Sequence, residues 1–323
     1  MVKQDSLHSL DHRLGWRMGA VALATLVAVP WVAHVFGDTF YVTLASRVLI
    51  FAIAATSLNF ILGFGGMVSF GHAAFVGAGA YTVAILTQSG VTDAWVLWPA
   101  AMLVSALLAA LIGAVSLRTQ GVYFIMITLA FAQMLYYLVV SLKTYGGDDG
   151  LALATRSQLG WGLDLANEFT FYGVASVCAV TVMVCFKRVL NSRFGHVLQG
   201  IRDNEVRMQA LGYTVSRYKW LAFVMAGALA GLAGALLVNL GGFVSPSLMQ
   251  WSQSGMLLMM VILGGVGHVW GGVWGAVVFL LLEEVLSSFT IHWQLGLGAL
   301  LLMVVLVAPK GLASVWSRAR GDA

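Results

Sequence analysis

The chain has 323 residues, 60% of them hydrophobic and only 9% charged, with a formal net charge of +4. A soluble domain carries about 25% charged residues, so most of this exterior must meet lipid rather than water. That excludes a soluble globular domain and predicts an all-α polytopic membrane protein.

In chain order, residues 1–16 read as a polar basic tail, and "HSLDH" (8–12) is too short and too exposed there to be a metal site; no metal site is predicted. An α-helical span needs about 20 apolar residues. Stretches that approach this length fall at 17–36, 42–62, 70–88, 94–117, 121–141, 169–187, 218–240, 252–264, 270–287 and 291–308. The first could pass for a signal peptide, but "VAHVFGD" (32–38) offers no small-x-small cleavage site, and the stretch is read as a retained span. Cys178 and Cys185 lie one heptad apart in a single apolar run, too far apart for a disulfide.

Charge placement sets the count and the direction. Ten spans with both termini cytoplasmic put 14 of the 17 basic residues inside, whereas nine would leave a basic C-terminus outside, against the positive-inside rule. The outer loops collect Asp38, Asp93, Asp148, Asp149, Asp164, Glu168, Glu283 and Glu284. No span is then read to carry a carboxylate near its middle, which counts against an ion-coupled carrier. The permease domain is expected over 17–308, with residues 309–323 as a second cytoplasmic tail.

Sliding the chain by 196 residues lays "GHAAFVGAGA" (71–80) on "GHVWGGVWGA" (267–276), with "NFILGFGGMV" (59–68) near "MLLMMVILGG" (256–265). Six spans separate the copies, so spans one to four match spans seven to ten in the same direction: a parallel internal repeat. The glycines Gly65, Gly66 and Gly71 in one copy, and Gly264, Gly265 and Gly267 in the other, mark broken helices. Such breaks persist in a membrane where protein packs around them or water fills a cavity. Asn59, Ser69, His72, Gln133 and His268 are polar residues on apolar spans. Each either lines a substrate pathway or makes a helix–helix hydrogen bond.

The longest inner polar stretch is the loop 191–217. Val197, Leu198, Ile201, Met208 and Leu211 share one face at helical spacing, which predicts a helix over 195–212 stopped by Gly212. An amphipathic helix of this kind either lies on the membrane surface or docks in a groove of a soluble partner. No G-x-x-x-x-G-K-[ST] loop is present to cradle nucleotide phosphates.

"FGHVLQGIRDNEVRMQALGY" (194–213) resembles the ATPase-coupling loop of permeases of branched-chain amino acid ABC transporters. "LNFILGFGGMVSFGHAAFVGAGAYTVAIL" (58–86) is similar to that family's most distinctive segment, and "RTQGVYFIMITLAFAQML" (118–135) to the segment that marks its LivM-type subunit. "YKWLAFVMAGALAGLAGAL" (218–236), "LGGVGHVWGGVWGAVV" (263–278) and "APKGL" (308–312) extend the likeness; His196 departs from it, standing where arginine is usual. The resemblance implies about ten transmembrane helices of the type II ABC importer kind in a bacterial inner membrane. It implies a second, LivH-type permease subunit, two cytoplasmic ATPases that bind the ATP, and a periplasmic substrate-binding protein. It implies no cofactor on this chain, no enzyme activity of its own and no nucleic acid partner. Branched-chain amino acids are the implied substrates, with urea, short amides or aromatic acids as alternatives within the family and a self-sufficient secondary carrier as the other class. Gly195, Val197, Ile201, Arg202, Asp203, Glu205, Met208 and Gly212 are the residues expected to couple to an ATPase. In that reading the Val197/Ile201/Met208 face inserts into the partner, and Arg202 and Glu205 make charged contacts at its rim.

Overall fold

The computed structural model describes residues 39–153, 155–160, 164–289 and 291–307. The predicted first span at 17–36 and both tails lie outside these residues. Every apolar stretch from 42–62 onward coincides with one helix. These are α1 (Phe40–Asn59), α2 (His72–Gln88), α3 (Ala94–Ser116), α4 (Val122–Ser141), α5 (Glu168–Leu190), and α8 to α11 (Val215–Gly241, Trp251–Gly264, Gly271–Phe289, Trp293–Val307). The loop between α5 and α8 forms two short helices, α6 (Arg193–Asp203) and α7 (Glu205–Ala210). Among the described residues, six helices are long and apolar enough to cross a membrane; α9 and α11 are shorter apolar helices. The α1 helix continues through a π-helical turn, Phe60–Phe64, giving 25 residues in all. At 1.5 Å per residue that is about 37 Å, more than a bilayer core.

Local chemistry sets the helix starts. Carboxamide, carboxylate and hydroxyl side chains just before a helix accept its unpaired N–H groups. Asp93 takes the N–H of Trp95 at 2.9 Å, Asn167 that of Phe169 at 2.9 Å, and Asn204 that of Arg207 at 2.9 Å. Asn204 also explains why the expected single helix over 195–212 is two. Its backbone is extended, with φ −159° and ψ 97°, and its side chain starts α7 afresh. Gly212 ends that helix as the sequence predicts. At φ +86° it donates to Gln209 O while Tyr213 donates to Met208 O, a Schellman stop.

The core is built on close backbone approach. Helix α8 packs on α2 and α3 through Gly227, Gly231 and Gly234; a Cβ at Gly231 would stand 2.6 Å from Ala101 O, and one at Gly234 would overlap Val76 O. Small residues let membrane helices gain dispersion contacts that lipid cannot better. Phe75, Phe223 and Phe124 then stack edge to face, with centroids 5.5 and 6.0 Å apart. Helix α1 is enclosed by α5, α8, α9 and α10. By contrast α4 is buried only along Phe124, Thr128 and Ala132, one line at four-residue spacing. At the end of the bundle opposite α6 and α7, β1 (Leu151–Ala152) pairs antiparallel with β2 (Phe243–Val244).

One expectation about charge is corrected. Glu283 and Glu284 lie within α10 rather than in an outer loop. Glu283 is held there by Arg47 of α1 at 3.1 Å. Each charge lowers the cost of sinking the other.

Candidate functional site

Two polar clusters lie along α1. The first surrounds the start of α2. Between Gly66 and Gly71 the chain is not helical, and it climbs back beside α1 until His72 reaches Ser57, 2.7 Å from Nε2 to Oγ. Ser57 precedes the end of the π turn by seven residues, about 10 Å of helix. So α2 begins about 10 Å in from that end of α1. Its first N–H groups are taken by hydroxyls from three elements. Ser69 accepts from Gly71 at 3.2 Å, Ser254 of α9 from Ala73 at 3.0 Å, and Thr128 of α4 from Phe70 at 3.3 Å. All four hydroxyl residues and His72 are buried. Ser57 also lies 2.7 Å from Ala54 O. One hydroxyl proton serves both contacts if His72 carries its own proton on Nε2, leaving Nδ1 a lone pair. Nδ1 has no hydrogen-bond partner among the described residues. A Cβ on Gly71 would stand 2.8 Å from Thr128 O, so only glycine fits there.

The second cluster joins the two glycine-rich segments to each other. The buried Asn59 carboxamide accepts from Gly267 N–H at 3.1 Å and donates to His268 O at 2.8 Å. Gly63 faces the same turn, and a Cβ there would overlap Asn59 Oδ1 and Gly267 N. Gly265 (φ +112°) and Gly267 (φ +80°) make the turn between α9 and α10, in a region where L side chains are strained. The turn is tight, because α9 and α10 pack backbone to backbone through Gly264, Gly271 and Gly275. The two Gly-His steps therefore differ: His72 opens α2 directly, whereas His268 sits in a turn three residues before α10.

Arg202, at the end of α6, reaches both segments. Its guanidinium donates to Gly63 O, a carbonyl at the C-terminal end of α1, and its stem lies across Gly66. A cation is favourable at such an end, where carbonyls lack intrahelical partners. A Cβ on Gly267 would stand 2.9 Å from Arg202 Nη1. The arginine is thus a bolt from the loop helix to the meeting point of α1, α9 and α10.

The face of α6 expected to dock outward is turned inward. Val197 and Ile201 are buried with Val215, and Met208 and Tyr218 pack on them. Phe194 stacks on Tyr218 at 5.5 Å, and a Cβ on Gly195 would overlap Leu190 O. Glu205 is paired with Lys219 of α8 at 2.6 Å. Asp203 and Gly212 are exposed. The apolar surface that the loop does present outward is Val206 and Leu211, 75% and 66% exposed, which periodicity could not separate from the rest.

Of the five polar residues expected on the pathway, the structure brings Asn59 to His268 and Ser69 near His72, while Gln133 stands apart on α4. Sequence reasoning missed Ser57, Thr128 and Ser254, which complete the first cluster. Neither cluster offers three metal-ligating side chains, and no such group occurs among the described residues.

Residues 40–308 match the family described as branched-chain amino acid transport system, permease component. The LivM permease protein of a high-affinity branched-chain amino acid transport system in Escherichia coli K12 is 30% identical over 315 residues, 90% of this chain and 73% of that protein. Its counterpart in Salmonella typhimurium LT2 is 29% identical over 310 residues, 89% of this chain and 72% of that one. The Salmonella typhimurium LivH permease protein is 26% identical over 290 residues, 84% and 92% of the two chains. No solved structure matches. With the match running from the first residue of α1 to beyond the end of α11, the chain belongs to the branched-chain amino acid ABC transporter permease family.

Proposed function

We propose that this chain is one of two permease subunits in an ATP-driven importer of hydrophobic amino acids. A LivH-type subunit is its partner in the membrane. Two cytoplasmic ATPases bind and hydrolyse the ATP, and a substrate-binding protein delivers the cargo from the far side. The setting is a bacterial inner membrane, crossed ten times when the stretch at 17–36 is included, with both termini cytoplasmic. The likeness to both LivM and LivH proteins supports the paired subunits. The outward face of α4, which carries Tyr123, Met126, Met134 and Tyr137, suits a surface shared with the second permease, with Gln133 half-buried beside it. The meeting of Asn59 with Gly267 and His268 is consistent with a parallel repeat of the type II importer kind.

The observation that carries the reading is Arg202. A loop that merely rested on the membrane would need no bolt into two helix ends. A loop that transmits force does. In this reading Val206 and Leu211 dock on the ATPase, α6 and α7 move with it, and Arg202 passes the displacement to α1, α9 and α10. Buried apolar anchors carry most of the energy of such contacts, and rim charges tune them.

Reconstitution tests the proposal. The chain, its LivH-type partner and both ATPases are placed in proteoliposomes with binding protein and radiolabelled leucine. Uptake should require ATP and binding protein and should ignore proton and sodium gradients. Uptake of urea or benzoate in place of leucine would move the substrate within the family. Uptake driven by an ion gradient without ATP would overturn the importer reading.

A further inference from the structure

At the end of the bundle that carries α6 and α7, a cavity of about 240 Å³ opens between three connections. One wall is apolar, made by Met67 of the α1–α2 segment, Leu117 at the end of α3, and Phe124 and Ile125 of α4. The lining also holds Thr119, Gln120 and an ion pair, Glu205 of α7 with Lys219 of α8, whose side chains are 26% and 14% exposed. Pockets for drug-sized ligands run to about 300–1,000 Å³. This one suits a single smaller solute.

The chemistry of the walls is specific. A monovalent acid or amine entering the cavity would engage one member of the intact ion pair and bring a net charge out of water with no counter-charge of its own, which is costly. A zwitterion with both charges on one carbon compensates both. Lys219 donates one proton to Glu205 Oε2 and keeps two more for a carboxylate. The Glu205 carboxylate has a second oxygen for an ammonium group. An apolar side chain on the same carbon then faces Met67, Leu117, Phe124 and Ile125.

We infer that this cavity binds one zwitterionic α-amino acid with an apolar side chain, held by Lys219 through its carboxylate and by Glu205 through its ammonium group. The inference rests on the proposed function for the class of solute and for the side of the membrane, which is the cytoplasmic mouth where imported substrate leaves. The site also touches the moving parts. Glu205 is the first residue of α7, and Met67 follows Gly66, on which the stem of Arg202 lies. A bound amino acid therefore bridges the loop and the α1–α2 segment at the point where they meet.

The test uses the whole complex of permeases and ATPases in nanodiscs, without binding protein, and saturation binding of radiolabelled L-leucine. Wild type should show saturable binding. Isovalerate, which lacks the ammonium group, and isopentylamine, which lacks the carboxylate, should each compete at least tenfold more weakly. Lys219→Met removes the carboxylate partner, and Ile125→Trp fills the cavity while leaving the ion pair in place; each should weaken binding at least tenfold in complexes that still retain their ATPases. Absence of saturable binding, or equal binding in wild type and the Ile125→Trp complex, overturns the inference. The same preparation in proteoliposomes, supplied with ATP and loaded binding protein, keeps the two readings apart. Leucine uptake without cavity-dependent binding leaves the importer standing and removes this site. Absence of leucine uptake removes the amino-acid importer itself.

Discussion

At the scale of single residues, Asn59 shows why a polar side chain survives in a membrane core. Its two bonds hold the α9–α10 turn: they give the Gly267 N–H an acceptor and add a second donor to His268 O, which also accepts from Gly271 N–H at 3.0 Å. Leucine has the same branched shape and neither bond. Asn59→Leu should therefore leave the Gly267 N–H without its acceptor at about 1–3 kcal/mol, lowering the unfolding midpoint of the purified permease in detergent. Asn167→Ala, which removes only an exposed cap, serves as the control and should cost about 1 kcal/mol. Equal loss in the two variants would show that Asn59 does no more than an ordinary cap. Asn59, Ser69, His72 and His268 were legible in the sequence because each is expensive in lipid and so needs a reason to be there. Ser57, Thr128 and Ser254 were not. A hydroxyl in a helix can bond the carbonyl one turn back, as Ser57 and Thr128 do to Ala54 O and Ile125 O, and such residues leave no mark in the pattern.

At the scale of elements, the loop 191–217 separates what periodicity reports from what it omits. Apolar spacing over Val197, Leu198 and Ile201 reported a buried face, and the face is buried. Periodicity cannot name the neighbour, which is the permease itself. Asn204 carries the break between α6 and α7, a single-residue signal inside an otherwise helical run. The consequence is a division of labour that mutation can resolve. Val206→Asp with Leu211→Asp changes only exposed side chains, so the permease should fold and stay paired while its ATPases no longer co-purify. Arg202→Leu should do the reverse. The ATPases remain bound, but the guanidinium no longer caps Gly63 O, and stimulation of ATP hydrolysis by loaded binding protein should fall at least tenfold. Measured together, the two variants separate docking from transmission. Loss of the ATPases in Arg202→Leu would make the arginine a docking residue and remove the bolt.

At the scale of the molecule, hydropathy located the helices from α1 onward because lipid allows little else: in a bilayer every backbone group must be paired, and a lone helix pairs its own. It did not show how far along α1 the start of α2 lies or that α1 ends in a π turn, since both depend on which backbone groups find partners elsewhere. Nor did it place Glu283 inside α10, because the compensating Arg47 lies 236 residues away. Sidedness is a prediction from charge instead. The loop before α5 carries Asp148, Asp149 and Asp164, and the loop after it carries Arg193, Arg202 and Arg207, with Arg217 in the first turn of α8. Positive charge is retained on the cytoplasmic side, so a single crossing by α5 should separate the two. Asp149 and Gln209 are both exposed and lie in those loops. With Cys178 and Cys185 replaced, Asp149→Cys should react with an impermeant maleimide added outside intact cells. Gln209→Cys should react only after the membrane is opened. The α5 helix has 23 residues and hydropathy suited to spanning, so the two sites cannot share a side unless α5 fails to cross. Labelling of both from outside would invert that conclusion, put the Arg202 loop beyond reach of any cytoplasmic ATPase, and end the coupling argument with it.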